Sequence, residues 1–238
     1  MSQIYTEGKF IHEFKHRFKC MVNIEGIDEI CYVASSSHLA PFIKLINKKV
    51  LLRENKSKSG KTKHTLFAVN YKNTYILLDL GFINKLVANY ISEKCLFDIL
   101  PESIKREQMF TNGYKADVVV YNKEKMYIIE AKALLTYDKI ATFPTSSVSR
   151  AIIQLSKIKE LLEQGYLVYY WLVLLNPKSE TIVIDTCNSD FYNLYKNCVS
   201  LGMKTIVARI RWTQKKGFSI KNIEIANVIR EEHITYVN

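Results

Sequence analysis

No two of the five cysteines stand in a CxxC pair, and their number is odd. Neither a disulfide framework nor a cysteine-based zinc site suits such a set, so reduced, mostly packed thiols are expected. There are only four prolines, and no repeats or low-complexity tracts, which leaves few obvious linkers. No apolar run reaches the roughly 18 residues that span a bilayer; "YLVYYWLVLL" (166–175) is typical of the longest. The first residues, MSQIYTEGKF, lack an apolar signal core. The expectation is a cytoplasmic protein with no membrane segment.

What the chain does have is apolar content and positive charge. Its 238 residues, 48% of them hydrophobic, are enough to bury a sizeable core in one large or two small domains. The net charge is +11 with a pI near 9.3, and the excess is uneven. Between Lys44 and His64 stand Lys44, Lys48, Lys49, Arg53, Lys56, Lys58, Lys61 and Lys63 against a single acid, Glu54. Within that stretch "ENKSKSGKTKH" is a Gly/Ser/Lys loop, flexible and cationic. Such a loop suits a polyanion whose phosphates shed counterions on contact, so DNA or RNA is the expected partner. Lys56, Lys58, Lys61 and Lys63 are the candidate contacts, joined by Arg17 and Lys19 near the N-terminus. No amphipathic helix with a basic face supports membrane attachment.

The first 82 residues read as short strands separated by turns. "KFIHEFKHRFKCMVNIEG" (9–26) alternates, with Phe10, Phe14 and Phe18 on one side, and reads as one long strand. The strand reading also argues against His12 and His16 as paired metal ligands. "EICYVASS" and "KVLLREN" are further strands, and "HTLFAVNYKNTYILLDLG" is a hairpin turning at Lys72 and Asn73. Five or so short strands around a basic loop suggest an OB-like antiparallel barrel. After Gly81 the pattern changes. "NKLVANYISEKCLFDI" spaces its apolar residues helically, with Asn84 as the expected N-cap. The strands "SIKREQMF", "ADVVVY" and "KMYIIEAKA" follow, then a polar loop, "TYDKIATFPTS". "SSVSRAIIQLSKIKELLEQGY" reads as a helix with a Ser cap and Gly165 past its end. A doubly buried strand, "YLVYYWLVLLN", a second helix and the strand "KTIVARIRW" complete an α-β-β-β-α-β-α-β order. That order implies an α/β (α+β) arrangement with a mixed sheet flanked by helices.

The stretch "YKADVVVYNKEKMYIIEAKA" (114–133) carries acids on what look like buried strands. Residues two apart on a strand share a face, so Glu130 and Lys132 project together. Asp117 enters the neighbouring strand of the hairpin, within reach of Glu130. Two carboxylates held together repel, and burying them unpaired is costly. A hard divalent cation, Mg²⁺ or Mn²⁺, relieves both penalties. Lys132 alongside would orient or deprotonate a water and stabilise charge growing on a phosphate. The set therefore suits metal-assisted phosphodiester hydrolysis, with Asp117, Glu130 and Lys132 as the catalytic group.

This arrangement resembles the PD-(D/E)xK nuclease superfamily, here written Ala116-Asp117 … Glu130-Ala131-Lys132. Glu107 in "IKREQMF" is the candidate for the further acid that members often carry. Across almost the whole chain the wording is similar to the SfsA (sugar fermentation stimulation) family, in "FKHRFKCMVNIEG", "KVLLRENKSKSGKTKHTLFAVNYKNTYILLD", "ADVVVY", "YIIEAKALLT", "ATFPT" and "SRAIIQLSKIKELLEQGY". The resemblance implies an OB-like nucleic-acid-binding domain over 1–82 and a PD-(D/E)xK nuclease-like domain over 83–238. It makes Asp117 and Glu130 metal ligands and Lys132 the catalytic lysine, and it puts "ATFPT" beside the cleft. Arg150, at the start of the next helix, would clamp a phosphate. Two departures stand out. "SSSHLAPFI" (35–43) replaces the Pro-Asn-x-Gly-Arg type stretch of relatives, and Ala88 and Asn89 stand where relatives tend to be acidic, which favours one bound ion over two. The resulting expectation is a metal-dependent nuclease acting on DNA or RNA. The alternative is a DNA-binding regulatory protein of the sugar fermentation stimulation type with a vestigial nuclease site.

Overall fold

The run expected as one strand from Lys9 to Gly26 is two. In the computed structural model, which describes residues 5–16, 18–35, 38–55, 61–94, 101–123, 125–144, 148–226, 229–230 and 233–234, β1 (Thr6–Glu13) pairs antiparallel with β2 (Lys19–Ile24). Phe14 N–H donates to the Lys19 carbonyl at 3.1 Å, and Phe18 adopts φ 80°. The exposed Lys15 and His16 keep the turn in solvent. The phenylalanine stripe is thereby broken, with Phe10 2% exposed in the core and Phe18 40% exposed outside it.

β2 turns into β3 (Ile27–Tyr32) through Glu25 and Gly26, both at positive φ (50° and 89°). Two such residues give the tight turn whose twist matches the strands it joins. β4 (Lys49–Glu54) pairs with β1, and β5 (His64–Tyr71) pairs with β4. β6 (Thr74–Leu77) closes the expected hairpin through Lys72 and Asn73, at φ 44° and 62°. The parallel pair Tyr32–Thr65 joins β3 to β5 and closes a five-stranded, OB-like barrel.

A 3-10 turn, Leu80–Phe82, leads into α1 (Ile83–Glu93), which buries Ile83, Leu86, Val87 and Ile91. Asn84 is not its cap. The helix starts one residue earlier, with Phe82 at the N-cap and no side-chain capping bond. The second sheet has the order β14-β13-β11-β9-β8-β7. Its strands are β7 (Ser103–Met109), β8 (Lys115–Asn122), β9 (Lys125–Leu134), β11 (Leu167–Leu174), β13 (Lys204–Thr213) and β14 (Gly217–Ile225). β7, β8 and β9 run antiparallel, β9, β11 and β13 parallel, and β14 antiparallel to β13.

The edge strand β14 and four short strands were not foreseen, two of the latter being the antiparallel pair Ile229–Arg230 and His233–Ile234. The expected polar loop contains β10 (Ile140–Phe143), paired in parallel with β12 (Thr181–Ile184). Ala141 and Phe143 face inward there while Ile140 and Thr142 face out. Ile-Ala-Thr-Phe does not alternate apolar with polar residues, so the period of two gives no strand signal there.

α2 (Val148–Glu163) and α3 (Ser189–Ser200) cover one face of the sheet. The expected Ser cap of α2 lies outside the described residues, whereas Gly165 ends the helix at φ 86° as expected. α3 has an Asn188 cap accepting from Phe191 N–H. Alternation along β11 separates two cores. Tyr169, Trp171 and Val173 pack toward α1 and barrel residues such as Phe10 and Leu66, and Val168, Tyr170 and Leu172 pack toward Leu155, Ile158 and Phe191.

Candidate active site

The β8–β9 ladder stops at Val118–Ile129. One step further, where Asp117 would face Glu130, the backbone pairing gives way to a side chain. Ala131 N–H donates to Asp117 Oδ2 at 2.8 Å, and Asn84 Nδ2, from α1, donates to Asp117 Oδ1 at 2.9 Å. A carboxylate thus fills the place of a carbonyl where the strands open.

Glu130 is 1% exposed. Its Oε2 accepts from the Tyr114 hydroxyl at 2.5 Å, and its Oε1 pairs with Lys132 Nζ. The ammonium also donates to Gln154 Oε1 on α2 at 2.6 Å. Glu130 and Lys132 project from one face, as the strand period requires. Tyr170 stands beside Glu130 in the β9–β11 register, with its ring centroid 6.0 Å from Lys132 Nζ and, among the described residues, its buried hydroxyl without a hydrogen-bond partner.

The electrostatics follow from this crowding. Burial, and after it the charge of Glu130, push the Asp117 carboxyl from 3.8 up to about 6, against the pull of Ala131 N–H, Lys132 and Asn84. Burial and then Glu130 raise the Tyr114 hydroxyl well above its ordinary value, and the same causes raise Tyr170. A cation between the two carboxylates would offset the charge that opposes ionisation of Asp117.

The donors are oxygens, and each carboxylate oxygen, though bonded to one protein donor, keeps a lone pair. Among the described residues no group of three or more His, Cys, Asp or Glu gathers to hold a metal. A cation here would therefore take two carboxylates and complete its shell with water or phosphate oxygens. That suits Mg²⁺ or Mn²⁺, which bind hard oxygen ligands, Mg²⁺ typically keeping several waters.

The other expected residues are placed differently. Glu107 lies between the pairs Arg106–Val118 and Gln108–Ala116, and so opposite Asp117. Its backbone turns to φ 58°, and its exposed carboxylate accepts from Lys115 Nζ at 2.6 Å, which lowers its pKa. The structure does not bring that carboxylate to the Asp117–Glu130 pair. Lys19, Lys61, Lys63 and Arg150 are exposed, and Arg17, Lys56 and Lys58 lie outside the described residues. Below the basic loop, Asn55 Nδ2 donates to the Thr62 carbonyl at 2.9 Å and Asn55 Oδ1 accepts from Thr65 Oγ1 at 2.5 Å. Phe143 of "ATFPT" is buried against Tyr170 and Phe191.

Sequence reasoning missed Asn84, Tyr114, Gln154 and Tyr170. A signal existed for Gln154, a polar residue next to the buried stripe of Ala151, Leu155 and Ile158 on α2. For Tyr114, two residues outside the strand-like run, there was none.

A family model described as the sugar fermentation stimulation protein RE domain matches residues 81–216. The sugar fermentation stimulation protein homolog of Desulfitobacterium hafniense (strain Y51) is 29% identical over 164 residues, covering 68% of this chain and 70% of that one. The homolog of Thermotoga maritima is 25% identical over 228 residues, covering 94% and 96%. The solved structure of Pyrococcus furiosus SfsA in complex with Ca²⁺ shares the fold, with a TM-score of 0.80 at 14% identity over 92% of this chain and 94% of that one.

Proposed function

The chain belongs to the sugar fermentation stimulation protein family, and we propose that it is a metal-dependent nuclease hydrolysing phosphodiester bonds of DNA and/or RNA. One observation carries the reading. Asp117 and Glu130 meet where the ladder opens, with the Lys132 ammonium on Glu130 and the Asp117 carboxyl raised to about 6. The Pyrococcus furiosus relative was solved with Ca²⁺, an ion that prefers oxygen ligands, which accords with a carboxylate site here. In this proposal residues 1–82 hold nucleic acid, Lys19, Lys61, Lys63 and Arg150 contact phosphates, and residues 83–238 cleave.

Mg²⁺ or Mn²⁺, when bound by Asp117 and Glu130, would lower the pKa of a water and offset charge on the phosphate. The protein does the rest. Asn84 and Ala131 N–H fix the Asp117 carboxylate, and the Tyr114 hydroxyl fixes the rotation of Glu130. Gln154 holds the Lys132 ammonium, which would offset charge gained by a phosphate bound at this site.

A second reading, a DNA-binding regulatory protein with a retired site, draws on the fact that every oxygen of Asp117 and Glu130 already has a protein donor. Labelled single- and double-stranded oligonucleotides separate the two. Cleavage in Mg²⁺ or Mn²⁺, abolished by chelator and by Asp117→Asn, supports the nuclease. Inert wild type under every metal, with chelator-indifferent binding, supports the regulator.

A further inference from the structure

A cavity of about 410 Å³ opens between the C-terminal half of α1 and β14, at the edge of the second sheet. Its size falls in the range of small-ligand sites, roughly 300–1,000 Å³. Leu86 and Phe218, 4% and 6% exposed, supply apolar lining. Around them stand Lys94, Arg211, Lys216 and Lys221, against one acid, Glu93. Among the described residues the three lysines form no ion pair, and Arg211 Nε reaches only Ser219 Oγ, at 3.3 Å. Four like charges around one concavity repel one another, and an anion seated among them removes that cost. The half-buried Tyr90 adds an aromatic wall on which a base would stack.

The geometry points to a phosphate site, in which a nucleotide unit places its phosphate among Arg211 and the lysines and its base against Tyr90. The unit is either a free nucleotide or part of a strand. The strand source rests on the nuclease reading. Along α1, Tyr90 and Lys94 lie about 9 and 15 Å from Asn84 at 1.5 Å per residue, so a strand held at Asp117 has this cavity within reach.

The test uses the full chain in chelator, so that binding is read without cleavage. Arg211→Gln/Lys221→Gln is compared with Lys125→Gln/Lys196→Gln, which removes equal charge from exposed positions outside the cavity. A labelled single-stranded oligonucleotide is followed by anisotropy at several salt concentrations, and AMP by titration calorimetry. Thermal unfolding checks that both variants fold. The cavity variant is expected to bind the oligonucleotide about tenfold more weakly, with a salt slope shallower by about 1.4 for two lost single-strand contacts. The control variant keeps the wild-type slope. AMP bound by wild type and lost in the cavity variant assigns free nucleotides to the site, and an effect on the oligonucleotide alone assigns the strand. Equal behaviour of the two variants toward both probes overturns the inference. Failure of the nuclease reading shows separately, as wild type inert in Mg²⁺ and Mn²⁺.

Discussion

Replacing Asp117 with asparagine should stabilise the metal-free protein, although it removes a residue the proposed chemistry needs. Burial and the Glu130 charge hold the Asp117 carboxyl at about 6 where an unfolded chain leaves it near 3.8. The folded state therefore binds the proton more tightly, and stability falls as pH rises through that window and levels off above it. At about 1.4 kcal/mol for each tenfold change, the full cost of ionising Asp117 at pH 8 is about 3 kcal/mol. The side chain is partly open to solvent, so about half of that, 1–2 kcal/mol, is expected to be recovered. Asparagine keeps an oxygen for Ala131 N–H, and the Asn84 amide can turn to accept from it. The assay is urea unfolding in chelator, followed by tryptophan fluorescence, at pH 4 and pH 8. With a slope of about 3 kcal/mol per molar, the Asp117→Asn midpoint should rise by about 0.5 M at pH 8, with little change at pH 4. Added Mg²⁺ should then stabilise wild type only, by about 2.7 kcal/mol at a hundredfold excess over Kd. A variant less stable than wild type at pH 8, or a gain equal at both pH values, refutes the electrostatic account.

Three further outcomes follow from the same contacts. Lys132→Ala should lower cleavage by at least about a hundredfold, the loss typical of a donor to developing charge, while oligonucleotide affinity measured in chelator stays close to that of wild type. Tyr114→Phe removes the hydroxyl on Glu130 Oε2, and calorimetric titration should show Mn²⁺ affinity down about 10- to 100-fold; unchanged affinity would mean that the hydroxyl does not hold the ligand. Arg53→Ala strands Asp79, whose side chain is 3% exposed and pairs with Arg53 at 2.7 Å. It should cost about 3–5 kcal/mol in urea unfolding at pH 8, and less at pH 4, where the buried carboxyl takes up a proton.

The barrel and the acid–lysine group were legible because both rest on short-range regularities. The positive-φ turns at Glu25–Gly26 and Lys72–Asn73 mark their hairpins, and the period of two puts Glu130 and Lys132 on one face. What could not be read is long-range. Gln154 reaches Lys132 across 22 positions, and Asn84 reaches Asp117 across 33. Nothing local signals either. The phenylalanine stripe misled for the opposite reason, because Phe10, Phe14 and Phe18 keep a strand's alternation across a chain reversal. β10 and β12 are four residues each and owe their existence to pairing with one another across the chain.

The misread cap at Asn84 shows how the two sheets are tied together. A side-chain cap would have satisfied only α1's own free N–H groups. Instead the chain leaves β6, anchors Asp79 under Arg53 of β4, and packs Phe82 edge-on to Phe67 of the barrel. Those contacts fix where α1 begins, at Ile83, one residue before Asn84. The asparagine amide is thereby carried to Asp117 by the barrel, not by its own strand neighbours. Arg53 belongs to the strand that runs into the basic loop, so the segment expected to meet nucleic acid and the carboxylate expected to hold the metal share one covalent and packed connection. A position that looked like ordinary helix punctuation is the point where the helix leaving the barrel meets Asp117.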